Sequence, residues 1–254
     1  MSTLAHEFVV GQRPEISVTL ASAQVAVVEG DPGTIRVEAE GDDRDLGFLD
    51  VYQAGDTVTV RARKGGRFWG RRGTEVRFAV PSGTMCTART ASGDFRVAVP
   101  LSDVEIAAAS GDVYLTAFSG RARIKTASGD LTIGEASGGL QIGTASGDVR
   151  VDVVDGDAVI NAASGDVAIG SATGTVTVKT ASGDVAIRCF AGTDLNGASM
   201  SGDLDIGLAE GMAIDSDIQT RSGGFRNLVD KGTDAPTIEA TMHLVTMSGD
   251  ITLR

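Results

Sequence analysis

Aromatic residues make up only 4% of the 254-residue chain, too few for the stacking platforms that hold single-stranded nucleic acid. Histidine occurs twice, at His6 and His243, and cysteine twice, at Cys86 and Cys189. That supply excludes a Cys/His zinc site. Neither histidine stands near a nucleophile motif, so a Ser/His/Asp triad has no support and no catalytic residues are expected. The two cysteines lie far apart and read as small buried hydrophobes in a reducing cytoplasm. Proline is scarce, at five residues, and G-x-y triplets are absent, which excludes collagen. No apolar run approaches the ~18 residues of a membrane span, so no membrane insertion is expected. A formal net charge of −12 argues against nucleic acid and anionic lipid. The opening MSTLAHEFVVGQRPE carries no basic stretch followed by an apolar one, so a cytoplasmic location is expected.

Glycine is abundant, at 34 residues, and its placement is regular. Ser-Gly-Asp recurs with its glycine at Gly93, Gly111, Gly129, Gly147, Gly165, Gly183, Gly202 and Gly249. From Gly93 to Gly183 every step is 18 residues, and weaker copies sit midway at Gly120, Gly138, Gly156 and Gly174. Two and four residues after each glycine from Gly111 to Gly183 stand aliphatic pairs, from Val113/Leu115 through Leu131/Ile133 to Val185/Ile187. The residues between them are mostly small or polar. A period of two marks a strand with one buried and one wet face.

A strand this short cannot bury its apolar face alone, but stacked copies can. The expected fold is all-β: a parallel β-helix, or β-solenoid, with two strands per 18-residue coil. The crossover preference makes it right-handed. Residues 89–254 form the regular SGD-repeat solenoid, with irregular coils after about 190. Residues 1–88 form an irregular β region that caps or continues it, with strand candidates at 16–20, 25–28, 34–39, 57–63 and 75–80. In the corner TASGD, glycine supplies positive φ, and Ser and Asp are expected to bond local backbone N–H groups.

Asp112, Asp130, Asp148, Asp166 and Asp184 recur at the coil period and should stack ~4.8 Å apart. Like charges at that spacing repel by ~1 kcal/mol per pair in water. The column therefore needs backbone hydrogen bonds, cations or a metal. Calcium takes six to eight oxygens, more than one Asp and one Ser per corner supply. No cofactor or metal is expected, and a calcium-stabilised β-roll stands as an alternative.

One segment, RARKGGRFWGRRG, is strongly basic. Its Arg67, Phe68, Trp69, Arg71 and Arg72 read as a hairpin tip and a candidate contact site for an anionic partner. Residues 1–100 carry 12 Lys and Arg against 13 Asp and Glu, residues 101–254 carry 10 against 21. A basic tip ahead of an acidic body, with an open sheet edge on the final coil, would permit end-to-end homo-oligomers or filaments.

The repeated TASGDV, with a second glycine nine residues on and EVRFAVP leading in, resembles the bacterial putative-adhesin β-strand-repeat family, a domain of unknown function. The resemblance spans residues 75–254 and extends to the whole chain. It implies a β-solenoid and carries over no catalytic residues. The reading is a soluble, non-enzymatic interaction or scaffold module for a protein or polymer partner.

Overall fold

The structure is a computed structural model that describes residues 2–63, 74–229 and 238–254. The chain forms two compact units, Met1–Asp130 and Leu131–Arg254. Both are built as expected: short strands alternate between two mostly parallel sheets, the arrangement of a β-solenoid. Among the described residues no helix is long and apolar enough to cross a membrane.

The first unit holds β1 (Ser2–Val9), β2 (Glu15–Ser22), β3 (Gln24–Glu29), β4 (Thr34–Gly41), the single-turn helix α1 (Asp43–Leu46), β5 (Leu49–Ala54), β6 (Thr57–Ala62), β7 (Glu75–Val80), β8 (Met85–Ser92), β9 (Phe95–Val97), β10 (Val104–Ser110), β11 (Val113–Phe118) and β12 (Ala122–Ser128). One sheet runs β1-β4-β7-β3-β9-β11 and the other β12-β10-β8-β2-β6-β5. The SGD coils are parallel, and β2 and β3 join them in the same sense beside β8 and β9. Parallel stacking stops where β4 meets β7 and β1, and where β5 meets β6, all antiparallel. Strands β6 and β7, which flank the basic segment, lie in different sheets. Arg67, Phe68, Trp69, Arg71 and Arg72 of that segment lie outside the described residues.

The second unit holds β13 (Leu131–Ala136), β14 (Leu140–Ser146), β15 (Val149–Val154), β16 (Ala158–Ser164), β17 (Val167–Ala172), β18 (Val176–Ser182), β19 (Val185–Phe190), β20 (Asp194–Ser201), β21 (Leu204–Leu208), β22 (Met212–Ser222), β23 (Phe225–Asn227), β24 (Ile238–Ser248) and β25 (Ile251–Leu253). Its sheets run β13-β15-β17-β19-β21-β25-β23 and β14-β16-β18-β20-β24-β22. The last coil of the chain, β24 with β25, is thus inserted one place in from the end of the stack. The sheet edges belong to β22 and β23, which corrects the expectation that the final coil is the open one. The physical reason is core quality. Met242, Leu244, Ile251 and Leu253 fill the inward positions and are at most 2% exposed. The matching positions of the edge coil are Ser216, Ile218, Phe225 and Asn227, two of them polar.

All 18 aliphatic positions of the repeat point inward, and none exceeds 2% exposure. Full burial of such a side chain contributes about 1.5–3 kcal/mol. Two further inward columns flank them. Ala136, Val154, Ala172 and Phe190 close one side, Thr126, Thr144 and Thr180 the other, all buried. Thr126 and Thr144 satisfy their hydroxyls by donating to the carbonyls of Ser128 and Ser146, at 3.0 and 3.1 Å.

The corner glycines are fixed twice over. Gly165 has φ +115°, and a Cβ there would lie 2.3 Å from the carbonyl oxygen of Gly147 in the coil before. The weaker corner uses the second constraint alone: at Gly174, whose φ is not in the left-handed range, a Cβ would meet the Gly156 oxygen at 2.2 Å. Gly143, inside β14, has open space around it. Gly165→Ala is therefore expected to cost about 3 kcal/mol in urea unfolding. Gly143→Ala should leave stability unchanged or raise it by about 0.5 kcal/mol. Equal effects would show that the close approach does not set the fold.

Candidate functional site

The strong corners bring the most polar groups together. Each turn places Ser, Gly and Asp at one edge of the coil, and register repeats them on the next. Gly165 N–H donates to Ser182 O at 3.1 Å, and Gly183 N–H to Ser201 O at 3.1 Å. The aspartates answer in the other direction. Asp130 N–H donates to Asp112 Oδ1 at 2.9 Å, Asp184 N–H to Asp166 Oδ1 at 2.9 Å, and Asp203 N–H to Asp184 Oδ1 at 2.8 Å. Serine follows the same logic, since Ser110 Oγ donates to Ala91 O at 3.2 Å. The partners lie in the adjacent coil. Local bonding, expected from the motif, gives way because the tight corner stacks its neighbour's backbone closer than its own.

This explains how a column of like charges persists. Each bonded carboxylate is one backbone N–H's acceptor, and a hydrogen bond to a charged group contributes ~1.5–3 kcal/mol. That exceeds the ~1 kcal/mol of repulsion per neighbouring pair in water. Weaker corners repeat the device: Arg121 N–H donates to Asp103 Oδ1 at 2.6 Å and Thr175 N–H to Asp157 Oδ1 at 3.2 Å. Among the described residues, no three His, Cys, Asp or Glu side chains group to hold a metal.

The histidines are engaged away from these corners. His243 Nδ1 lies 3.1 Å from Asp217 Oδ2, and His6 stacks on Phe8 with ring centroids 6.0 Å apart. A shallow cavity of about 360 Å³ is lined by Glu29, Gly30, Asp31, Thr34, Arg36 and Ala79. Cys86 is buried in the core, where desolvation, with Glu15 nearby as the lesser cause, pushes its thiol up to about 12. Cys189 is only partly covered.

Three outward cations share one register row, and of them the sequence singles out only Arg61, as part of the basic segment. Lys125 pairs across β10 with Arg89, and Arg89 across β2 with Arg61. Arg89 and Lys125 stand two 18-residue periods apart, a usable signal. Arg61 precedes the repeat, and only the strand order reveals its place.

Asp166→Ala should cost about 1–2 kcal/mol in urea unfolding, because the N–H of Asp184 loses its acceptor. Asp166→Asn keeps an acceptor oxygen and should cost less than about 0.5 kcal/mol; equal losses would count against the coil-to-coil bond. With a thiol reagent at pH 8, Cys189 should react in the folded protein and Cys86 only on unfolding.

The chain aligns with solved structures. A putative adhesin from Bacteroides fragilis NCTC 9343 aligns over 100% of this chain and 97% of its own, with TM-score 0.51 and 12% identity. A putative adhesin from Parabacteroides merdae ATCC 43184 aligns over 99% and 96%, with TM-score 0.49 and 12% identity. A putative lipid binding protein from Parabacteroides distasonis ATCC 8503 aligns over 99% and 96%, with TM-score 0.37 and 11% identity. At such identity the likeness to the Bacteroides fragilis protein concerns the fold alone. No curated protein matches the chain. The family model of the Toastrack DUF4097 domain matches residues 14–254, and the chain belongs to that family.

Proposed function

We propose that the protein is a non-enzymatic binding module, a scaffold whose outward sheet faces carry a protein or polymer partner. One observation carries this reading. Corner carboxylates such as Asp112, Asp148, Asp166 and Asp184 commit an oxygen, and Ser92, Ser110 and Ser128 their hydroxyls, to hydrogen bonds with an adjacent coil, while outward residues between the corners, such as Lys125, Gln141 and Arg150, are exposed. The adhesin description of the Bacteroides fragilis protein points the same way. Saturable partner binding is expected to survive Asp166→Asn and to fall on charge reversal in a sheet face. Turnover of an ester, glycoside or phosphate ester that stops when a corner aspartate is replaced would overturn the reading.

End-to-end assembly is the second reading, and the edge strands β22 and β23 are where it is weighed. Ser216 and Asn227 occupy inward positions there, and Asp215 and Asp217 are exposed on β22. Polar residues and charges of this kind blunt sheet edges. Sedimentation of the full chain at rising concentration should return one constant monomer mass. Mass that grows with concentration would favour the filament.

A further inference from the structure

One face of the first unit departs from the acidic character of the chain. On the sheet β12-β10-β8-β2-β6, outward residues align into rows across the strands. One row reads Lys125, Ala107, Arg89, Thr19, Arg61. A cation stands on every second strand, separated by a small side chain. Neighbouring strands lie ~4.8 Å apart, so the positive charges repeat every ~9.6 Å. Beside it runs a second row, in which Thr87, Ser17 and Thr59 place hydroxyls on three consecutive strands. Tyr52 continues that row on β5, with the Arg61 guanidinium 5.1 Å from its ring centroid.

The cations are available. Lys125 is exposed, and the side chains of Arg89 and Arg61 are 65% and 52% accessible. Their acidic neighbours are loosely held: Glu105 sits 3.7 Å from Arg89 and Asp50 3.6 Å from Arg61. Asp50 is drawn instead to Arg63, at 2.8 Å. Two other acids border the face, and both have partners. Glu15 accepts from Thr57 Oγ1 at 2.9 Å and Asp103 from the Arg121 N–H at 2.6 Å. Exposed ion pairs of this kind contribute little, so a ligand can displace them.

We propose that this face binds an extended acidic polysaccharide with one carboxylate per disaccharide. The proposal rests on the binding-module reading and names its partner class. Two sugars of an extended chain span about the distance between alternate strands, so successive carboxylates meet Lys125, Arg89 and Arg61 in turn. The intervening sugar hydroxyls meet the Thr87–Ser17–Thr59 row. Nucleic acid fits poorly, because duplex DNA carries one charge per ~1.7 Å and the chain's net charge of −12 repels so dense a polyanion. An acidic peptide fits poorly as well. Peptide recognition draws on apolar pockets or an open sheet edge, and these rows have small or polar residues between the cations on the face of a sheet.

Hyaluronan oligosaccharides are the probe, since they carry one uronate per disaccharide, titrated into the full chain at low and moderate salt. Saturable binding that weakens with salt is expected. Lys125→Glu with Arg89→Glu should weaken it about tenfold or more, and Lys125→Ala with Arg89→Ala should weaken it less, each variant keeping the native melting curve. Arg150→Glu, on the second unit, should change nothing. If the reversed pair melts early, the alanine pair decides. No hyaluronan binding overturns the proposal, as does binding indifferent to Lys125 and Arg89. Stronger retention of oligodeoxythymidine, polyglutamate or anionic vesicles would overturn it too, while leaving the binding-module reading intact. Enzymatic turnover would instead remove that reading.

Discussion

Backbone meets backbone at the corners, and that approach governs everything else. With a Cβ at Gly111, Gly129 or Gly165, that atom would sit 2.3 Å from a carbonyl oxygen of the coil before. Only glycine lets one corner settle on the next. Once it does, register is no longer free: each strand lies 18 residues from its neighbour, and each aliphatic pair lands on its counterpart. Hydrophobic burial provides the driving force, but it would tolerate slippage along a uniform apolar face. The corner removes that tolerance.

Fixed register turns single residues into columns, which changes what each residue type costs. An isolated surface aspartate is unremarkable. Repeated at every corner it is a line of charge, kept in place because each bonded carboxylate accepts a neighbour's N–H. The same multiplication acts on the outward faces. A lysine and two arginines, scattered in sequence, become an evenly spaced rail because alternate strands of one sheet carry them. The fold therefore separates its tasks: corners hold the coils, and faces remain free to vary.

Repetition made the core pairs and the corners legible in the sequence. The pairs at Leu131/Ile133 and Val149/Val151 announce their own strand, period and buried face. The flanking columns were harder. Thr126 and Thr144 look like solvent-facing residues, and only the structure shows their hydroxyls folded back on the chain. β1 and β5 escaped notice because their ends rest on antiparallel partners and bury little. The direction of the Asp and Ser bonds was hidden for another reason: a motif states which donors are near in sequence, whereas a stacked corner places the next coil nearer. The contact residues assigned to the basic segment, Arg67 to Arg72, fall outside the described residues. The cation row needed the spatial order β8-β2-β6, which sequence order does not give.

Each unit sets one coil into its stack out of sequence order. In the first, β2 and β3 lie between the β8/β9 coil and the later β6 and β7. In the second, β24 and β25 lie between the β20/β21 coil and the earlier β22 and β23. Terminal segments of a chain fray unless tied down. Inserted this way, each is paired along both edges. In the second unit the outermost position falls to β22 and β23, a segment internal to the chain, whereas in the first β1 itself lies at the end of its sheet. The β22 and β23 segment can carry a poorer core, with Ser216 and Asn227, because its neighbour is the fully apolar coil of Met242, Leu244, Ile251 and Leu253. Reversing the last two coils puts the best-packed residues next to the weakest position.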